Sequence, residues 1–125
     1  MCWRFGSVSD ADTGCEQGWL VREGEVLASA EVQSTSKGKL IGLLGRTGLD
    51  GALVLERTRS VHSFGMRFDL DIAFIDADDI VIRTLQLKRN RMTLPVWRSY
   101  LVIEAEAGSF GHWELKIGDK IELRK

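Results

Sequence analysis

The chain has 125 residues, 44% hydrophobic and 28% charged, with 17 basic against 18 acidic side chains for a formal charge of -1. That length suits one domain, able to bury roughly two thirds of its unfolded surface without metal or disulfide staples. The balanced charge excludes a global pull toward nucleic acid or anionic membrane, and no apolar run approaches the ~18 residues that span a bilayer.

Residues 1–17 carry Ser7, Ser9, Asp10, Asp12 and Gly14 with no sustained period, which predicts a loosely docked extension before a single domain over 18–125. The amino end lacks the apolar core of a secretion signal, so a cytoplasmic location is expected. Cys2 and Cys15 have no Cys-x-x-Cys spacing, and two free thiols are expected rather than a zinc or redox motif. Ordered structure is expected to begin at Trp19-Leu20-Val21, turn at Glu23-Gly24 and return with Val26, Ala28, Ala30 and Val32 on one face of a hairpin. Ser34 or Ser36 is placed to cap a short helix carrying Leu40, Leu43 and Leu44 and ended by Gly45. The neighbouring Lys37-Gly38-Lys39 has the wrong spacing for a phosphate loop. Residues 52–55 read as a short strand whose continuous apolarity predicts cover on both faces.

The stretch 61–76 organises the rest. His62, Phe64, Met66, Phe68, Leu70, Ile72 and Phe74 alternate with Ser63, Arg67, Asp69 and Asp71, a strand period. At this length it reads as two strands broken near Gly65 or Arg67. A polar turn at Asp76-Ala77-Asp78-Asp79 then leads into residues 80–87, antiparallel to 70–75. Residues 88–95 form the longest loop, and Pro95 argues against a central strand there. A strand follows over 100–106 with Leu101, Ile103 and Ala105 inward, then a brief helical segment packing Phe110, Trp113 and Leu115. Beyond a turn at Gly118, Ile121 and Leu123 close the sheet. About seven strands, short turns and one or two short helices indicate a mainly antiparallel sandwich or partly closed barrel.

Five pieces in this order carry a family resemblance: Gly42-Leu43-Leu44-Gly45-Arg46; His62-Ser63-Phe64-Gly65-Met66-Arg67-Phe68; Leu70-Asp71-Ile72-Ala73-Phe74-Ile75-Asp76; Ile103-Glu104-Ala105-Glu106-Ala107-Gly108; and Gly118-Asp119-Lys120-Ile121. Together they resemble the family called domain of unknown function 192, an uncharacterised bacterial and archaeal family. The resemblance implies a jelly-roll-like β-sandwich and no established reaction. Asp69 stands where a proline is usual in that family, which implies a looser bend, and no exported signal precedes the domain as it does in some members.

For chemistry, His62 can exchange a proton near neutrality and Asp71 can orient it. Ser63, adjacent on a strand, points away from His62, and no Gly-x-Ser-x-Gly elbow is present, which weakens a hydrolytic triad. His62 and His112 belong to no pair sharing a helix face, so neither a metal nor another cofactor is expected. Lys88, Arg89, Arg91 and Arg98, with Trp97 among them, have the cation-plus-aromatic character that single-stranded nucleic acid favours. Phe64, Met66 and Phe68 are expected in the core; if the strand bend leaves some of them at a mouth, they line an apolar cleft rimmed by polar groups. The leading expectation is therefore a non-catalytic module binding an unknown small molecule or protein segment through His62, Ser63, Met66, Arg67 and Asp71. The alternatives are a hydrolase-type enzyme using His62 and Asp71, and a nucleic-acid accessory protein using loop 88–98.

Overall fold

A computed structural model describes residues 15–33 and 51–125. The expected helix capped by Ser34 or Ser36, its leucines and the neighbouring lysines and glycines lie outside the described residues, as does Cys2.

The first two strands, β1 (Cys15–Arg22) and β2 (Glu25–Gln33), form the expected hairpin, with β1 opening at Cys15. The turn between them has positive φ at both central residues, 51° at Glu23 and 80° at Gly24. That backbone matches the twist of the flanking strands and suits glycine at its second position. Next, β3 (Ala52–Glu56) lies parallel to β2, Ala30 beside Ala52 and Val32 beside Val54. β4 (Leu70–Ile75) and β5 (Val81–Leu87) form the second hairpin. Its turn is tightened by Asp76, whose Oδ1 accepts the amides of Asp78 (2.9 Å) and Ile80 (3.0 Å). β6 (Leu101–Glu106) inserts between β3 and β4, α1 (Ser109–Trp113) follows, and β7 (Glu122–Arg124) returns to β1.

These seven strands make one sheet in the order β5-β4-β6-β3-β2-β1-β7. It curls until its two outer strands nearly meet: Val81 donates to the Asp119 carbonyl (2.9 Å), Gly118 donates to Val81, and Ile80 bridges Lys120. The result is the partly closed barrel of the two architectures expected from the sequence. Its inner face gathers Leu20, Val32, Val54, Ile75, Val81, Ile103 and Ile121, together with Ala30, Ala52, Ala73 and Ala105. Small residues fit where a curled sheet crowds its own interior. Phe110 of α1, with half-buried Trp113 and Leu115, plugs this core. A second core on the outer face joins Leu53, Leu55, Leu70, Ile72, Phe74, Leu87 and Val102 to Val61 and Phe68 from the preceding loop. With cover on both sides, every residue of β4 is buried, as are the first four of β3 and the first five of β6.

The stretch expected to hold two strands holds one. Residues 59–63 instead run beside 91–96 as an irregular ladder: Val96 donates to Arg59, Thr93 to Val61, and Ser63 to Arg91, each at 2.7–2.8 Å. Ser63 and Met66 then close a turn, Met66 donating to the Ser63 carbonyl (3.1 Å) with Gly65 at φ 76°. The turn shifts the alternation by one residue. Before it the odd positions Val61 and Ser63 are buried and His62 and Phe64 face water; after it the even positions Phe68, Leu70, Ile72 and Phe74 join Val61 in the outer core, while Ala73 and Ile75 face the inner one. The expectation that Phe64 belongs to the core is thereby corrected, since it is 49% exposed.

Candidate functional site

Loops 57–69 and 88–100 together form a lobe on the outer core. Ser63 is its central pin: wholly buried, its hydroxyl donates to the Lys88 carbonyl (2.6 Å) and accepts the Arg91 amide (3.0 Å). Thr93 makes a second pin, its Oγ1 accepting the Val61 amide (3.0 Å). Asn90 Oδ1 accepts the Gly65 amide, and Asp69 Oδ1 accepts the Arg89 amide (3.0 Å). Arg59 Nε donates to the Trp97 carbonyl (3.1 Å). These bonds tie the lobe backbone to itself, so what it displays is held in place.

What it displays is apolar and cationic. Met92 is 64% exposed, Leu94 82% and Trp97 74%, beside Phe64. His62 lies opposite Met92 in the ladder, stacks on Phe64 with ring centroids 5.2 Å apart, and accepts the Phe64 amide at Nδ1 (3.2 Å). Arg57, Arg59, Arg67, Lys88, Arg89, Arg91 and Arg98 are all exposed on these two loops, where Asp69 is the sole carboxylate. A chain with nearly balanced charge thus concentrates cations at one end.

Of the five candidate residues, His62, Ser63, Met66 and Arg67 share this lobe. His62 and Arg67 are exposed, Met66 is half-buried against the outer core, and Ser63 is sealed. Asp71 is elsewhere. It faces the inner side of β4, 8% exposed, and its Oδ2 accepts the amides of Gly108 (2.9 Å) and Phe110 (3.1 Å) at the start of α1. His62 and Asp71 are accordingly not hydrogen-bonded to each other. Asp71 also borders a cavity of about 350 Å³ between β5 and α1, lined by Thr84, Gln86, Gly111 and Leu115 among others.

One group passed unread in the sequence. Glu104 sits on the outer face of β6 between Leu53 of β3 and Ile72 of β4, only 5% exposed, and burial pushes its carboxyl up to about 8. The period that puts Leu101, Ile103 and Ala105 inward puts Glu104 on the opposite face. The signal that this face is covered too lies in the apolar run 52–55, whose two-sided cover extends in the structure to β6 beside it. On β2, Gln33 is also buried, and its Oε1 has no hydrogen-bond partner among the described residues. Among the described residues no three His, Cys, Asp or Glu side chains converge to hold a metal ion, and no helix is long and apolar enough to cross a membrane.

The model of the DUF192 family, described as "Uncharacterized ACR", matches residues 19–123. The chain belongs to the DUF192 family. Two solved structures are similar to this DUF192 chain, each with a TM-score of 0.71. One is a protein of unknown function from Novosphingobium aromaticivorans, 22% identical, with 86% of this chain and 84% of that one covered. The other is a "putative transcription regulator" from Sinorhizobium meliloti, 20% identical over 94% of this chain and 98% of that one. At such identities the likeness carries the fold. A search of curated proteins finds no significant match.

Proposed function

We propose that this DUF192 domain is a non-catalytic protein-binding module whose binding face is the lobe of loops 57–69 and 88–100, and whose partner is a protein segment mixing carboxylates with apolar side chains. The observation that carries this reading is the exposure of Phe64, Met92, Leu94 and Trp97 among six arginines on a hydrogen-bonded platform. Exposed apolar side chains cost solubility and are seldom gathered on a free surface without use. Aromatic residues, methionine and arginine are the types enriched where proteins meet, whereas lysine is depleted there, and this lobe has six arginines to one lysine. The excess positive charge selects an acidic partner and speeds its encounter. Arg67 and His62, both candidates from the sequence, fall on this face; Ser63 supports it from beneath.

The hydrolase reading draws no support from this geometry, because His62 Nδ1 is engaged by Phe64 and the Asp71 carboxylate by α1. A random-peptide display selection tests the binding reading. Wild-type protein should enrich peptides that combine Asp or Glu with Leu, Phe or Trp. The triple variant Met92→Ser, Leu94→Ser, Trp97→Ser should fail to retain them while melting within a few degrees of wild type, since exposed substitutions change stability by only about 0.5 kcal/mol. Enriched peptides that bind the variant equally well would refute the proposal. So would saturable, steeply salt-dependent binding to a single-stranded oligonucleotide in place of peptides.

A further inference from the structure

The cavity at Asp71 lies on the inner side of β4, away from the lobe, and makes a separate site. Its polar groups are organised by strand register. Asp71 pairs with Gln86 and Ala73 with Thr84, so Asp71, Thr84 and Gln86 project from the same face of the β4–β5 hairpin. On the other side, Phe110 and Leu115 supply apolar wall, and Gly111 contributes no side chain. A Cβ built on Gly108 or Gly111 meets nothing within 4 Å.

The decisive feature is how the Asp71 carboxylate is divided. Oδ2 takes the amides of Gly108 and Phe110, while Oδ1 has no hydrogen-bond partner among the described residues, although Asp71 is only 8% exposed. A carboxylate oxygen left open on the wall of a cleft favours a cationic donor, since a charge-assisted hydrogen bond is about twice as strong as a neutral one. With one oxygen committed, a two-pronged guanidinium cannot dock in its preferred bidentate way. A primary ammonium, with three N–H donors and a compact head, can. Thr84 Oγ1 and the Gln86 side-chain carbonyl supply the second and third acceptors, and neither has a hydrogen-bond partner among the described residues. The cavity of about 350 Å³ is at the small end of the range for ligand pockets.

We propose that this cavity binds a small primary amine, its ammonium held by Asp71 Oδ1, Thr84 and Gln86 and its carbon arm laid against Phe110 and Leu115. The site is independent of the lobe and of the reading given to it.

The test uses isopentylamine as probe, followed by amide chemical shifts of the ¹⁵N-labelled protein at neutral pH, with isopentanol as the uncharged counterpart. Saturable shifts should appear at Gly108, Phe110 and Gly111, with isopentanol at least about tenfold weaker, the loss expected when a charge-assisted hydrogen bond is removed. Asp71→Asn should weaken the amine by a similar factor. Because Asp71 also holds α1, that variant is paired with Gly111→Leu, which fills the cavity from a position with free space and should abolish binding with the melting temperature unchanged or raised. Thr84→Val should weaken binding severalfold. The proposal is overturned if no saturable shift occurs, if isopentanol binds as tightly, if Gly111→Leu binds as wild type does, or if the shifts centre on His62 and Met92 instead.

Discussion

A hydroxyl as deeply enclosed as that of Ser63 does more than fill space: it serves one backbone carbonyl and one backbone amide from the facing loop. Alanine there would strand both groups away from water, at about 1–3 kcal/mol. Urea unfolding of Ser63→Ala should register that loss, and a change below about 0.5 kcal/mol would remove Ser63 from its central place. Glu104 makes the opposite kind of prediction. Its ordinary value of 4.5 is raised to about 8 in the fold, by burial. Below pH 4.5 folded and unfolded chains both hold the proton, and burial of the neutral acid costs little charge. Between 4.5 and 8 the unfolded chain ionises first, so stability falls as pH rises, and above 8 the decline stops because the folded group ionises too. The total amounts to at most about 5 kcal/mol. Glu104→Gln should flatten this slope and make the variant the more stable protein at pH 8.5, read by thermal melts across pH; a parallel pair of curves would contradict it. The sequence points to such a carboxyl only indirectly, through the two-sided cover implied by residues 52–55, because which loops fold over β6 depends on contacts far apart along the chain.

Among elements, the Ser63–Met66 turn sets the phase of everything after it. Gly65 adopts φ 76° there, a conformation open to glycine at little cost and strained for other residues. Gly65→Ala should lose about 1 kcal/mol and loosen the lobe, seen as faster amide exchange at Ser63 and Asn90, whose backbone groups bond across it. Unchanged exchange would mean that the neighbouring bonds hold the turn without glycine. Local signals located most elements well: the Glu23-Gly24 turn, the Asp76 turn, the strand over 101–106 and the helix around Phe110 all follow from turn chemistry and period read over a few residues. Alternation failed only where a turn within it reversed which side chains face in. His62 and Asp71, nine positions apart, end in different places because the turn leaves His62 on an exposed loop while Asp71 enters β4 and binds the start of α1.

For the molecule as a whole, the seven strands could be counted in advance but not ordered. The insertion of β6 between β3 and β4, and the parallel seating of β3 on β2, are set by distant contacts rather than by any neighbouring residues. Curling brings the ends of that order together around Ile121, 1% exposed and packed in the inner core, its amide donating to the Asp79 carbonyl (2.8 Å). Ile121→Ala removes the wedge where the barrel is stitched and should cost about 2–5 kcal/mol in denaturant melts. A loss under 1 kcal/mol would mean that the stitch bears little of the fold. The seam has a further effect during synthesis. Leu20 and Val21 take their second set of backbone partners from Leu123 and Glu122, so the ribosome must finish the chain through residue 124 before the earliest hairpin is flanked on both sides. Until then that flank is an unpaired template, and nascent copies that stall short of it are the ones most apt to pair with each other.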